Sequence, residues 1–591
     1  MTGNGESEHE RDSGGENAIL TGGTWGSRGY ITPALLSIIF SSMAIRLLPP
    51  TTMGFHIWGS DSGEYYSIID SMVTKGRVPV DYEGWGFAYP FFYGFEVLVG
   101  ALQLLSGIDI LPLMVFIIPA LAALLVIPIF TISREVFASN RIALLAALFV
   151  SVSPSGIFTT SHPMPGALGD LFGLLVFYFY LRLRPGKDSL PMWIAMGLSI
   201  TCVMFVHHMS SYFVFISIGY YTVLREIFFR TKKWEMKRDI PVLYFFMIFI
   251  VVYWLILVEP FRERIVDDAF GISAWIVVGG ALVGLTVVLG LLELRKRMID
   301  WYYLPHYPDE VFLHQMLFIM SILAVMVMIA IAFIGVPGTS VDVDETFMLL
   351  AIPLFVMIIL SAPGPAFARF YSKGLFIIAW LGAILLSLIV MSATENTVLL
   401  PYRHTQYLLE PLLILSALGV VELHRMMSNW DSHQRRVILT AGLILLSIGV
   451  GFSGYPPREI IANFQEGTVY EEVQGVYWVR EYNNDLEGNE IASDHRMSSL
   501  LFGIGGVGAS WDSAYHTIHG ASYDEAEEEI HNQNISAVFM DDEIKLGVAL
   551  LQWENAVPVS DEALEKFEDP PFVRVLDSGF VQVYLIKNVT V

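Results

Sequence analysis

From about Ile31 to Tyr455 the chain alternates apolar runs of about twenty residues with short polar breaks. Runs of that length cross a bilayer as helices, and an all-apolar stretch has few other stable fates, because backbone groups in lipid must be satisfied within the segment. The pattern predicts helices near 32–49, 111–132, 142–160, 168–184, 191–208, 211–229, 240–258, 271–293, 311–335, 346–362, 374–392, 407–425 and 437–455. The expected fold is therefore mainly α, a polytopic bundle of about thirteen transmembrane helices. Between the first two runs lies a long stretch, 51–110. It holds an apolar segment, Phe91–Leu105, after the Tyr89-Pro90 turn. This segment is either a helix on the outer membrane surface or a further span.

Charge decides between the two. With Phe91–Leu105 on the surface, nineteen Lys and Arg collect in the breaks on one side, among them Arg230, Lys232, Lys233, Lys237, Arg238 and Arg295 to Arg297. The other side's loops hold five: Lys75, Arg77, Arg262, Arg264 and Arg403. A further span would reverse this asymmetry. Basic loops mark the cytoplasmic side, so the N-terminus is expected inside. Loops 51–110, 161–167, 258–270, 336–345 and 393–406, and the C-terminus, are expected outside, as in a multi-pass plasma-membrane protein.

A mean hydropathy of +0.56 fits this class. The net charge of −24 argues against nucleic acid as a partner. The single cysteine, Cys202, permits no intrachain disulfide. Residues 1–30 are polar and lack the apolar core of a cleavable signal, so they read as a disordered cytoplasmic tail and the first span as an uncleaved anchor. After Gly454 the composition turns polar and acidic. Residues 456–591 are expected to form an extracytoplasmic soluble α/β domain, with a helix at Tyr470–Asn483, strands at Ile491–Ala492, Ala537–Met540, Val573–Leu576 and Val581–Ile586, and a turn at Asp577-Ser578-Gly579. No internal repeat is visible.

The expected outer loops hold the residues suited to chemistry. Asp61 and Glu64 open a helix expected from Ser62. Carboxylates there either cap the helix or, at a membrane surface, take a proton or hold a metal. Asp170 falls inside the outer end of the fourth span, after Ser161-His162-Pro163-Met164-Pro165-Gly166. A carboxylate at that depth is costly unless paired or hydrated, which marks it as a functional candidate, with helix capping the alternative. His162 is a site residue or a plain loop histidine. His207 and His208 point about 100° apart on a helix and do not readily share a metal. Asp342, Asp344 and Glu345 form either a solvated acidic loop or an oxygen-ligand set for a divalent cation. Arg403, at the mouth of a span, is suited to grip a phosphate or to snorkel to headgroups.

Together these features resemble the GT-C glycosyltransferases, integral-membrane enzymes that take sugar from a polyprenyl phosphate or pyrophosphate. The resemblance covers roughly 30–455. It is carried by the topology, by Asp61 and Asp170, by Tyr65-Tyr66 with Gly76-Arg77-Val78-Pro79 and Tyr89-Pro90, by the Arg134 to Arg141 loop, and by Tyr402-Arg403-His404-Thr405. Within that superfamily the nearest architecture is the catalytic subunit of oligosaccharyltransferase, which also has thirteen spans and an outer C-terminal domain. The resemblance implies transfer of a sugar or oligosaccharide from a dolichyl-type phosphate carrier to a protein, lipid or glycan acceptor on the outer face, with protein glycosylation one form of this. By it Asp61, Asp170 and Glu64 are catalytic, Arg403, His404 and His162 meet the carrier phosphate, and Asp61, Asp170 and Glu345 hold a divalent metal, Mg or Mn. No nucleotide cofactor is expected, since neither a Walker loop nor a Rossmann glycine fingerprint is present. One departure stands out. The family's sequon-reading WWDYG is absent; the chain has Ala492-Ser493-Asp494-His495-Arg496 and later Trp511-Asp512.

Two other classes remain. A transporter or flippase of a lipid-linked or anionic substrate needs ionisable groups near the bilayer midplane. The expected spans are poor in them, apart from Arg46 and Glu96 near uncertain ends. A non-catalytic assembly protein would tolerate loss of Asp61 or Asp170. The glycosyltransferase reading expects Asp61, Asp170 and Arg403 to line one outer cavity, with the two carboxylates within about 10 Å, close enough to share a metal.

Overall fold

The computed structural model describes residues 29–86, 88–183, 189–228, 233–263, 307–334, 345–392, 399, 401–427, 431–455, 467–482, 490–510, 515–547 and 558–587. Twelve of the thirteen expected spans fall on helices, from Ile31–Arg46 to Ser432–Phe452. The remaining one, 271–293, lies outside the described residues, as does the N-terminal tail to residue 28. Among the described residues six helices are long and apolar enough to cross a membrane, or seven if the bent pair Asn140–Ser151 and Pro154–Ser161 is one span. That pair bends by 58°, at Pro154, which has no amide to donate to the preceding turn. The bundle turns large apolar side chains outward, such as Phe333, 87% exposed, and Leu445, 70% exposed. A water-facing surface would not carry that pattern over whole helices; lipid accounts for it.

The Phe91–Leu105 segment forms a 3-10 turn, Tyr89–Phe92, and a helix, Gly94–Ser106. At 13 residues the helix is about 20 Å long, short of the hydrocarbon core.

The C-terminal region carries a five-stranded sheet. We number strands in chain order: β1 Phe55–Trp58, β2 Gly467–Val469, β3 Glu490–Ala492, β4 Gly508–Ser510, β5 Ile535–Asp541, β6 Phe572–Asp577 and β7 Val581–Ile586. The sheet order is β4-β3-β5-β7-β6. β3 runs parallel to β4 and β5, while β7 is antiparallel to β5 and β6. The β6–β7 turn forms as expected, with Gly579 at φ +85° and its amide on Asp577 Oδ1 at 2.9 Å.

Two features tie this region to the first long loop. β1 pairs antiparallel with β2, across more than four hundred residues of sequence. The Ser62–Lys75 helix then packs against the turn Leu501–Gly505. A Cβ on Gly63 would lie 1.9 Å from the Ser499 carbonyl oxygen, and one on Gly503 would lie 1.9 Å from the Gly63 carbonyl oxygen. Only glycine at both positions lets the two backbones touch. The apolar core beneath is shared: Ile57, Leu111 and Val115 pack with Val473, Val476, Leu500, Phe539 and Val583. The start of the Ser62–Lys75 helix, where Asp61 sits, is thus held from both sides.

Candidate active site

Gly59 sets the site's first wall. Its φ of +130° belongs to the left-handed region, and a Cβ would meet His162 Cδ2 at 2.8 Å. The first loop therefore lies directly on the second. Asp61 follows as the N-cap residue of the Ser62–Lys75 helix, yet its side chain makes no capping bond. Its carboxylate turns to other partners instead. Oδ2 accepts from the Tyr89 hydroxyl at 3.3 Å. Oδ1 lies 3.8 Å from His495 Nε2 of the C-terminal region and has no hydrogen-bond donor among the described residues.

Asp61 lines a cavity of about 300 Å³. Its walls come from four places in the chain: Gly59 to Ser62 with Tyr65, Tyr89, Phe92 and Glu96; Ser155, Phe158, Thr159 and His162 to Gly166; Val206 to Met209; and Tyr402, Arg403 and Thr405 to Tyr407. Arg403 stands on the wall contributed by the last of these. Its Nε donates to the Tyr402 hydroxyl at 3.2 Å and its guanidinium lies 5.7 Å from that ring's centre. His162 also lines the cavity, 1% exposed, stacked on Trp58 and edge-on to Phe158 at 4.6 Å. His207 and His208 both reach the wall where one helix ends at Val206 and the next begins at His208. Ser211 Oγ bonds the Val203 and His207 carbonyls, each at 2.9 Å, and holds this break.

Asp170 departs from the expectation. It is 4% exposed and does not line this cavity. It occupies a small separate recess with Glu410, behind Tyr407. Ser210 Oγ donates to its Oδ1 at 3.2 Å, and Ser210 is itself 2.9 Å from the Tyr407 hydroxyl and 2.8 Å from His207 Nδ1. The reason is helix packing: a carboxylate inside the Pro165–Arg182 helix is buried by its neighbours, and hydroxyls satisfy it there. Asp170 thus touches the cavity only through Tyr407 and His207.

Glu64 is also held back from the cavity wall. It is 0% exposed. Oε2 accepts from the Tyr82 hydroxyl and from the Gly86 amide at 3.3 Å. Burial pushes the Glu64 carboxyl up to about 7, against the lowering effect of those two bonds. It fastens the 82–86 segment beside Asp61. His404 is buried in the bundle, with Nε2 on Ser387 Oγ at 2.9 Å, and is not brought to the cavity. Glu345 opens the helix Glu345–Ser361, but its side chain, like residues 335–344 and Trp511-Asp512, lies outside the described residues. Among the described residues no three Asp, Glu, His or Cys side chains converge on one point. The described side chains alone therefore do not complete the metal site that the resemblance implies.

Four cavity or neighbouring residues carry no site role in the sequence reading, although Tyr89 stands in the Tyr89-Pro90 string that carries the resemblance. Tyr89 and Tyr407 are single tyrosines among many. His495 shows no motif, but Arg496 beside it is pinned by Glu472 at 2.6 Å, Asp541 at 2.7 Å and Asp494 at 3.4 Å, and this network aims the segment at Asp61. Glu96 did leave a signal, as a lone acid in an apolar run.

No protein family and no curated protein matches the sequence itself. Solved structures do. The apo form of the Archaeoglobus fulgidus oligosaccharyltransferase is similar with a TM-score of 0.55 at 14% identity, over 88% of this chain and 71% of that one. The archaeal oligosaccharyltransferase AglB from Archaeoglobus fulgidus, in complex with an inhibitory peptide and a dolichol-phosphate, is similar with a TM-score of 0.54 at 13% identity, over 88% and 70%. The chain has the GT-C fold. The likeness extends past the bundle, since 88% coverage of 591 residues takes in part of the C-terminal region.

Proposed function

We propose that the protein is a membrane glycosyltransferase that moves a sugar from a polyprenyl-phosphate carrier to an acceptor at the outer face. The observation that carries this is the meeting of Asp61 and Arg403 in one cavity, from loops more than three hundred residues apart, within the GT-C fold. The AglB structure of similar fold holds a dolichol-phosphate and an inhibitory peptide, which supports a lipid-phosphate donor.

The chemistry follows from the two side chains. Breaking the bond from the anomeric carbon to the carrier oxygen leaves negative charge on phosphate. Arg403 supplies a fixed cation with several donors, suited to that charge. Asp61 holds the acceptor's hydroxyl or amide and takes its proton as the new bond forms. Aromatic walls limit water, which strengthens both interactions. Tyr89 and His495 orient Asp61; Glu64 holds the loop that brings them together. Positive-inside charge supports a cytoplasmic N-terminus and an outer cavity.

The test is transfer itself. Purified protein in lipid vesicles receives a radiolabelled lipid-linked sugar pool extracted from the source membranes, plus a membrane-protein fraction as acceptor. Label moving from the organic to the aqueous or protein phase is the expected result. No label leaving the lipid, with the protein folded, would refute the proposal.

A further inference from the structure

Glu96 carries a burden that the roles above leave unexplained. It is the only acid in the run from Phe91 to Leu105. It sits in the first turn of the Gly94–Ser106 helix, 0% exposed, among the residues that line the cavity. Neither Oε1 nor Oε2 has a hydrogen-bonding partner beyond its own main chain among the described residues. The helix needs nothing from it: Phe95, Val99 and Gly100 already bury the inner face. A buried carboxyl without donors is disfavoured whether ionised or neutral, and an apolar side chain of similar size would avoid that cost. Such a group is retained where something that enters the cavity completes its hydrogen bonds.

The surroundings say what would enter. Tyr65 and Tyr89 stack at 5.1 Å between ring centres, Phe95 meets Tyr65 edge-on at 5.4 Å, and Phe92 lies 5.0 Å from the His208 ring. Tyr65, Tyr89, Phe92 and Glu96 thus present aromatic surface and one acceptor pair on a single wall. A sugar ring offers the complement: a C–H face for the aromatic surface and hydroxyls for the carboxyl. Arg403, on the same cavity, takes the phosphate in the proposed reaction, so the sugar joined to that phosphate lies within the cavity too. We propose that Glu96 is a specificity-determining contact that accepts hydrogen bonds from hydroxyls of the donor sugar. This rests on the glycosyltransferase reading.

The experiment uses the full chain in nanodiscs and two probes. One is the lipid-linked sugar pool from the source membranes; the other is the same pool stripped of its sugars by mild acid. Binding is read by native mass spectrometry for the wild type, Glu96→Gln and Glu96→Leu. Glu96→Leu is expected to bind the sugared pool at least about tenfold more weakly, because a site built to bond hydroxyls depends on that acceptor. Its binding of the stripped pool is expected to match wild type, with an unchanged or raised Tm. Glu96→Gln, which keeps one acceptor oxygen, should fall between. Equal loss on both probes would mean a structural role and overturn the proposal. So would unchanged binding of both. Intact binding of the sugared pool with impaired transfer would move the contact to the acceptor and overturn the sugar assignment. A wild type that binds neither pool would instead sink the lipid-phosphate reading, and this inference with it.

Discussion

Glu64→Gln tests whether the first loop is built as described. The Glu64 carboxyl is raised from 4.5 to about 7, chiefly by burial. The native state therefore keeps a proton that the unfolded chain releases near 4.5. Stability from this group is fully present below the unfolded value and is lost as pH rises through about 7. A gap of roughly 2.5 units at 1.36 kcal/mol each gives about 3 kcal/mol lost between pH 4.5 and 8. Glutamine keeps an acceptor for the Tyr82 hydroxyl but cannot titrate. The wild type minus variant difference in stability should thus fall by about 3 kcal/mol over that window, roughly 2 °C in Tm for a chain this long melting as one unit. Thermal melting in detergent at half-unit pH steps reads it. Parallel curves from pH 4.5 to 8 would refute the buried, proton-holding role.

Further consequences follow from single contacts. Gly63→Ala puts a methyl carbon 1.9 Å from the Ser499 carbonyl oxygen; overpacking of this kind costs about 1–3 kcal/mol or more. Limited proteolysis should then release the C-terminal region faster, while unchanged digestion would contradict the docking. Arg403→Lys keeps the charge and loses the planar fork, so donor affinity should fall about tenfold, in line with the loss of about 1.4 kcal/mol. An unchanged donor KM would contradict a phosphate contact. His495→Ala removes the C-terminal neighbour 3.8 Å from Asp61; kcat should fall about tenfold with donor binding and Tm retained, as expected of a positioning residue. Equal kcat would show that the contact is idle.

The bundle was legible because lipid imposes one length and one polarity on each span, and twelve expected spans meet helices. Asp61 was legible as the residue before a helix, and Gly59 and Gly63 stand beside it. Its function-bearing geometry was not, because the missing capping bond and the turn toward Tyr89 depend on a loop twenty-eight residues away. Asp170 looked like a cavity acid because depth in a span is readable, while the direction a helix faces is not; Ser210 and Tyr407 come from two other helices. β1 and β2 are too short and too far apart in sequence to announce their pairing. That pairing, with the Gly63–Gly503 approach, brings His495 to the site. Glu96 was visible as one acid among apolar residues, a departure of the kind that marks sites, but its place on the cavity was not, because the wall it joins is built from distant segments.

The most direct test of the central claim compares sugar release from the labelled lipid-linked pool by wild type, Asp61→Asn and Asp170→Asn in vesicles. Asp61 faces the cavity and Asp170 reaches it only through Tyr407 and His207. Asp61→Asn should lower turnover by about 10²–10⁴-fold with its Tm intact, and Asp170→Asn should lower it less. Wild-type turnover in the Asp61→Asn protein would contradict the account.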